Sequence, residues 1–167
     1  RVRVVYDGPV HDGLVVRKDA NGRWTWFGDN WPDRTRQWLP TVDHPSDKAT
    51  WTFHVTVPAG LQVIANGDLV RHQESGNKST WVWNETAPMS NYLATADIGR
   101  WQFKNGTTPG GIPETVAIDP TLLDSNPAAM DFFYDTTAEA TDLWDETFGA
   151  YPFTSTGAIA DNATYNG

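Results

Sequence analysis

The spacing of apolar residues changes once along this chain of 167 residues, close to Asp119. Before that position, short runs rich in Val, Trp and Thr are separated by Gly, Pro, Asn and Asp, which is typical of strands joined by turns. After it, apolar residues recur at every third or fourth position, as on one face of a helix. The sequence therefore predicts a mainly β fold, in which an antiparallel β-sandwich is followed by one α-helix and a strand that begin a second, α+β domain.

The strand pattern is clearest over residues 49–57. Apolar side chains there alternate with Thr and His, which places one set on a buried face and the other toward water. Trp81 and Trp83 are expected in the core for the same reason. Further strands are predicted over residues 1–6, 61–65, 69–72, 79–83, 91–96 and 101–103, with turns at Pro58-Ala59-Gly60, Asn66-Gly67 and Ser75-Gly76-Asn77.

A single helix is predicted over residues 127–148. Ser125 or Asn126 can cap its first turn, because short polar side chains accept hydrogen bonds from free N–H groups. Pro127 suits its first position and Gly149 ends it. The residues expected to pack against the rest of the protein are Met130, Phe133, Thr137 and Trp144, and one more strand is predicted over residues 156–160.

Composition excludes several kinds of partner and site. The chain has 12 basic and 21 acidic residues, a net charge of -9, and would be repelled by nucleic acid and by anionic membranes. No apolar run is long enough to span a bilayer. Because the chain has no cysteine, it can form neither disulfides nor thiolate metal sites.

Four Asn-x-Ser/Thr triplets mark polar loops, at Asn77, Asn84, Asn105 and Asn162. Together with the acidic, cysteine-free composition they favour an exported bacterial protein. The chain begins within an apolar run and has no initiator methionine. We therefore expect a segment of a longer protein.

Residues 36–50 read Arg-Gln-Trp-Leu-Pro-Thr-Val-Asp-His-Pro-Ser-Asp-Lys-Ala-Thr. This block resembles the R-x-W/F-x-P-x-x-D-x-P-x-x-K-A signature of the aminopeptidase N-like zinc metallopeptidases, the gluzincin group that includes leukotriene hydrolase-type enzymes. Three further segments are similar to motifs of that family in the same order: Ala65-Asn66-Gly67, Met89-Ser90-Asn91-Tyr92-Leu93 and Phe148-Gly149-Ala150-Tyr151-Pro152. The resemblance implies that residues 1–119 are part of the saddle-like, β-rich N-terminal domain and that residues 120–167 begin the thermolysin-like catalytic domain.

The resemblance also implies an activity, the removal of N-terminal residues from peptides. Zinc in this family is held by H-E-x-x-H on a helix plus a more distant Glu. The four histidines of this chain, His11, His44, His54 and His72, include no pair four residues apart. We expect the chain to bind no zinc and to hold no catalytic residue, and to serve as scaffold and substrate-cleft wall of a parent enzyme whose zinc motif lies downstream.

Two residues of the chain itself are candidates for substrate binding. In many family members a Gln or Glu a few residues before the signature Arg reaches the substrate, and the polar residues at that place here are Asp29 and Asn30. An Asx turn before Pro32 is the alternative reading. The signature residues Arg36, Asp43 and Lys48 are expected to be structural, with an Arg36–Asp43 ion pair holding a rigid loop. Asp161 is expected to be an acid at a strand end.

Two other functions stay open at this point. The nine tryptophans could form a sugar-stacking face, which would make the chain a non-enzymatic, Trp-rich β-sandwich that binds carbohydrate. A degenerate family member kept for protein interaction is the third possibility. The sequence does not indicate a preferred N-terminal residue or an oligomeric state.

Overall fold

The computed structural model describes residues 2–163. Two 3-10 turns lie at Thr35–Gln37 and Asn91–Leu93. In chain order, the strands are β1 (Leu14–Lys18), β2 (Trp24–Gly28), β3 (Lys48–Pro58), β4 (Gln62–Ala65), β5 (Asp68–Ser75), β6 (Lys78–Ser90), β7 (Ala96–Gly99), β8 (Gln102–Thr107), β9 (Pro113–Ile118) and β10 (Thr156–Ala160), and the helices are α1 (Pro120–Ser125) and α2 (Ala129–Phe148).

The strands form three sheets. One has the order β1-β2-β7-β4 and a second the order β3-β6-β5, and all neighbours in both are antiparallel. The third has the order β10-β9-β8, with β8 and β9 antiparallel and β9 and β10 parallel. The predicted mainly β fold with antiparallel sheets and one main helix is confirmed.

Strand β3 shows why the alternating pattern predicted this fold well. Phe53 and Val57 are buried, whereas Thr52, His54 and Thr56 on the opposite face are exposed. The buried face of β3 packs with Trp81 of β6, with Val63 of β4 in the first sheet and with Leu61, which directly precedes β4. The indole of Trp83 lies in the same core and donates to the Val63 carbonyl at 3.1 Å. This core joins the first two sheets into a sandwich.

The third sheet packs against α2. Val116 and Ile118 of β9 are fully buried and form a cluster with Ala129 at the start of the helix. β10 follows α2 and covers residues 156–160, as predicted. The domain boundary expected at Asp119 stays a prediction, and one hydrogen-bonded sheet contains strands from both sides of that position.

The helical region differs from its prediction at its start. Residues 120–125 form the short helix α1, because the Asp119 carboxylate accepts from the Thr121 N–H at 2.8 Å and Pro120 occupies the first helical position. Helix α2 therefore begins at Ala129, with no side-chain cap. Neither helix within residues 2–163 is both long and apolar enough to cross a membrane.

The packed face of α2 agrees with the prediction at Met130 and Phe133, which pack against the buried cluster of β9, and differs from it further along the helix. Trp144 is 54% exposed, so the expectation that it packs in the interior is wrong. The buried residues of the central turns are Ala138 and Thr141. Small side chains let the helix approach β10 closely, and Thr141 shares a 2.9 Å hydrogen bond with Thr156. The small size of the side chains at the contact with β10, and not their hydrophobicity alone, determines which face of α2 is packed.

Two predicted strands are wrong. Residues 2–6 are exposed and belong to no strand. Residues 91–96 were expected to be extended, but Asn91–Leu93 form a 3-10 turn and β7 starts only at Ala96. The turn is stabilised by its own backbone, since the Ala94 N–H donates to the Asn91 carbonyl at 3.0 Å.

The turn at Gly67, between β4 and β5, packs closely against β6. Gly67 has φ +82°, and a Cβ there would lie 2.1 Å from the carbonyl oxygen of Asn84 on β6. Gly60 has a similar φ of +85° but open space around its Cα. We expect Gly60→Ala to lower the free energy of unfolding by about 1–2 kcal/mol, the cost of the left-handed backbone alone. Gly67→Ala should lower the free energy of unfolding more than Gly60→Ala does, by about 3 kcal/mol or more, because the backbone must also move. Urea titrations of both variants measure the difference, and equal losses would contradict the close approach.

Candidate functional site

The signature loop, which we define as residues 28–45, lies against residues 90–95. The Thr35 hydroxyl is fully buried and donates to the Asn91 carbonyl at 3.1 Å. The Asn91 amide donates in turn to the Val42 carbonyl at 2.7 Å. Small polar side chains bonded to main-chain carbonyls therefore fasten the loop to the end of β6.

Asn30 is the most buried polar residue at the start of this loop, at 4% exposure. Its side-chain amide donates to the Ala94 carbonyl, and its side-chain oxygen accepts from the Trp38 indole at 2.7 Å. Its own carbonyl accepts from the Arg34 N–H at 2.8 Å. All three contacts connect parts of the protein, so the geometry of Asn30 is that of a structural residue.

Asp29 has a different environment. Its carboxylate accepts from the Arg34 guanidinium at 2.6 Å, and about a quarter of its side chain is exposed. The same guanidinium also reaches the Trp31 carbonyl at 2.8 Å and the Asp12 carboxylate at 3.5 Å. Asp29 thus lies on the accessible side of the loop, with its orientation fixed by a cation.

The ion pair expected between Arg36 and Asp43 is absent, and that prediction is wrong. The Arg36 guanidinium pairs with Asp33, three residues earlier, and both side chains are about half exposed. Asp43 instead accepts from the backbone N–H of Arg36 at 3.1 Å. Asp33 is three residues from Arg36 and lies in the turn that leads into the 3-10 turn at residues 35–37. Lys48 is exposed at the start of β3.

Asn66, of the small-Asn-Gly turn, completes the contacts to residues 90–95. Its amide donates to the Leu93 carbonyl at 3.0 Å, and its side-chain oxygen accepts from the Thr95 N–H at 2.6 Å. Three of the segments that carry the sequence resemblance are therefore hydrogen-bonded to one another. Sequence reasoning found the segments but missed Thr35, Asn66 and Asn91 as the residues that connect them, since each is an ordinary loop residue when considered alone.

A group of acidic residues connects the first sheet to the start of α1 and the end of β10. Arg23 lies between two nearly buried carboxylates, at 2.6 Å from Asp19 and 3.3 Å from Asp119. Burial raises the pKa of Asp19, but hydrogen bonds from Arg23 and the positive charge of its guanidinium outweigh that effect and leave the pKa of Asp19 below its ordinary value. The cation thereby keeps this carboxylate ionised inside the protein.

Among residues 2–163, no positively charged side chain forms an ion pair with Asp97 on β7. Asp97 is 7% exposed and accepts from the Gly28 N–H at 2.8 Å. Burial, together with the nearby charge of Asp161, raises the pKa of Asp97 to about 7. Asp161 directly follows β10, accepts from the Thr25 hydroxyl and from the Ala163 N–H, and also has its pKa raised by burial.

The described part of the chain has no cluster of side chains that could bind a metal ion. Within residues 2–163, no group of three or more His, Cys, Asp and Glu side chains is placed to hold a metal ion. His72 stacks on Trp81 at 3.7 Å between ring centroids and bonds to Ser79. Its environment is therefore that of a packing residue.

Comparison with known proteins gives consistent matches. Residues 17–93 match the family described as the peptidase M1 N-terminal domain. A leucyl aminopeptidase from Saccharolobus solfataricus is 39% identical over 112 residues, which are 67% of this chain and 13% of that protein. The chain thus spans only about an eighth of the length of this curated relative.

Solved structures share the fold. A two-domain M1 zinc metallopeptidase variant bound to L-tryptophan superposes with a TM-score of 0.71 and 25% identity, covering 90% of this chain and 35% of that one. An M1 zinc metallopeptidase variant from Deinococcus radiodurans, bound to a Tyr-Ser-Ala substrate, gives a TM-score of 0.67 and 22% identity. That match covers 86% of this chain and 33% of the other.

Asp97 makes the stability of the protein depend on pH in a defined direction. Its pKa of about 7 lies above the ordinary value of 3.8, so the folded state retains a proton that the unfolded state has lost between these values. Stability therefore falls as pH rises through this window, and the loss is complete above the folded pKa. Asp97→Asn keeps an acceptor for the Gly28 N–H without the charge. We expect it to raise the thermal midpoint at about pH 8 and to leave it unchanged at about pH 4.

The control for this variant is Asp124→Asn, at an exposed position on α1. It should shift neither midpoint. If Asp97→Asn gave no gain at the higher pH, the carboxylate of Asp97 would have to be solvated in the folded protein.

Proposed function

Because residues 17–93 belong to the peptidase M1 N-terminal domain family, we propose that this chain is part of a zinc-dependent aminopeptidase that releases N-terminal residues from peptides. The observation that carries the proposal is the coincidence of this match with the sandwich and with the signature loop fastened to residues 90–95. The identity with a leucyl aminopeptidase supports it and favours an enzyme over a carbohydrate-binding module.

Within that enzyme the chain acts as scaffold and as one wall of the substrate cleft. Its loop residues Thr35, Asn30 and Asn91 use their polar atoms on other parts of the chain, which is what a rigid wall requires. The residues at 2–163 do not fit a zinc site. We expect the zinc ligands among residues of the enzyme outside this range, and no chemical step is assigned to the chain.

Asp29 is the substrate-facing residue of this wall. Asn30 has its side-chain amide and oxygen engaged in the interior and supports the loop. The Asp29 carboxylate is accessible and oriented by Arg34, so it can attract the protonated amino terminus of a peptide. Export from a bacterial cell remains a prediction of the composition.

The activity is tested on the natural-length gene product that contains this sequence. We expect about one zinc ion per chain and release of leucine from leucine p-nitroanilide, with loss of the activity on treatment with 1,10-phenanthroline. The polypeptide of residues 1–167 should show neither bound zinc nor activity. A natural-length product without zinc and without release of N-terminal residues would overturn the proposal.

The role of Asp29 is tested in the same enzyme by Asp29→Asn, with Asp33→Asn on the same loop as the matched control. Loss of a charge that attracts the substrate amine should raise KM about 3- to 10-fold and leave kcat nearly unchanged, since one exposed ion pair is worth about 1 kcal/mol. Asp33→Asn should change neither constant. Equal effects of the two variants would mean that Asp29 only shapes the loop.

A further inference from the structure

A cavity of about 360 Å³ lies where the sandwich meets β9, β10 and the end of α2. Its volume is within the range of sites that take small molecules. Large apolar side chains from three parts of the chain line it: Trp83 and Met89 of β6, Trp144 of α2, and Tyr151 and Phe153 between α2 and β10. The cavity therefore has an aromatic wall and is partly open to solvent.

Glu85 on β6 is the charged residue of this lining. It is only 2% exposed, so nearly all of its side chain is removed from bulk water. One carboxylate oxygen accepts from the Ala87 N–H at 2.7 Å. The other is bonded to no protein atom among residues 2–163, and neither Lys nor Arg is part of the lining. A buried acid thus faces the cavity without a cation.

Some other polar groups of the lining are hydrogen-bonded within the protein. Asn66 uses its side chain on Leu93 and Thr95, and Thr156 uses its hydroxyl on Thr141. Glu85 is the charged group of the lining and can offer a ligand an ionic interaction. The backbone around it is tight, because Gly67 packs directly on the backbone of β6 at Asn84 and Glu85.

The chemistry of the lining selects one class of ligand. An anion would be repelled by the Glu85 carboxylate, which is itself almost fully removed from bulk water. A neutral apolar molecule would leave the free carboxylate oxygen unpaired. A cation gains both the carboxylate and the faces of aromatic rings, which attract positive charge.

We propose that this cavity binds a small organic ammonium ion, a primary amine joined to an aromatic or branched aliphatic body. The ammonium group pairs with Glu85, and the apolar body lies among Trp83, Trp144 and Phe153. The inference stands on the cavity alone and does not depend on the proposed peptidase activity.

The test uses phenethylamine, which is protonated at neutral pH, with phenylacetate and 2-phenylethanol as the anionic and neutral counterparts. Titration of the 167-residue chain is followed by two-dimensional NMR of the tryptophan indole N–H signals. We expect saturable binding of phenethylamine with a dissociation constant in the millimolar range or below, and weaker binding of the other two. Stronger binding of phenylacetate, or no saturable shift with phenethylamine, would overturn the proposal.

Glu85→Gln keeps an acceptor for the Ala87 N–H but removes the charge. It should weaken binding of phenethylamine at least about 10-fold, which corresponds to about 1.4 kcal/mol. Glu74→Gln, at an exposed position on β5, is the matched control and should bind as the unchanged chain does. Equal affinities of the two Gln variants would show that Glu85 does not contact the amine.

Trp144→Ala provides a second variant, because Trp144 is half exposed and its loss should not prevent folding. It should weaken phenethylamine and 2-phenylethanol alike, since it removes apolar contact and not charge. The natural-length gene product should bind phenethylamine in the same way. Binding by the isolated chain but not by that product would assign the cavity to a segment of the same protein and overturn the proposal.

Discussion

The hydrogen bonds made to the main chain of residues 90–95 are the constraint on which the rest of the structure depends. This segment leaves β6 and turns before β7, so its backbone groups lack partners in a sheet. Buried N–H and C=O groups need other partners, and Asn30, Thr35 and Asn66 supply them. Because the three come from distant positions in the sequence, satisfying one short segment fixes the signature loop and the β4–β5 turn together.

Polar side chains that bond only within the protein differ from those that could also contact a ligand, and this difference distinguishes structural residues from candidate functional ones. Asn30 and Asn66 use both polar atoms of their side chains within the protein, which makes them part of the frame. Asp29 is oriented by Arg34 yet accessible, and Glu85 has a carboxylate oxygen that no protein atom within residues 2–163 takes up. Neighbours in the sequence, such as Asp29 and Asn30, can therefore have opposite roles although a motif comparison gives them equal standing.

Much of the fold could be predicted from local pattern, and the site less so. The alternation in β3 reports burial directly, because side chains on a strand point to two faces in turn. The 3-10 turn at Asn91–Leu93 could not be predicted in the same way, since it is held against the signature loop by contacts such as that of the Asn91 amide with the Val42 carbonyl, about 50 positions earlier. The prediction of an Arg36–Asp43 ion pair failed for a similar reason. Asp33 and Asp43 are both within reach of Arg36 in the sequence, and only the turn geometry decides between their carboxylates.

The ion-paired trio of Asp19, Arg23 and Asp119 has a consequence for how this sequence can change over time. Arg23 neutralises two nearly buried carboxylates, one of them 96 positions away. Replacing Arg23 alone leaves both carboxylates without a cation, and replacing either carboxylate leaves Arg23 with one anion fewer. Single substitutions at these positions therefore lower the stability of the protein. We therefore expect substitutions at the three positions to be accepted together more readily than singly. A contact between distant parts of the chain would then appear as correlated changes among related sequences.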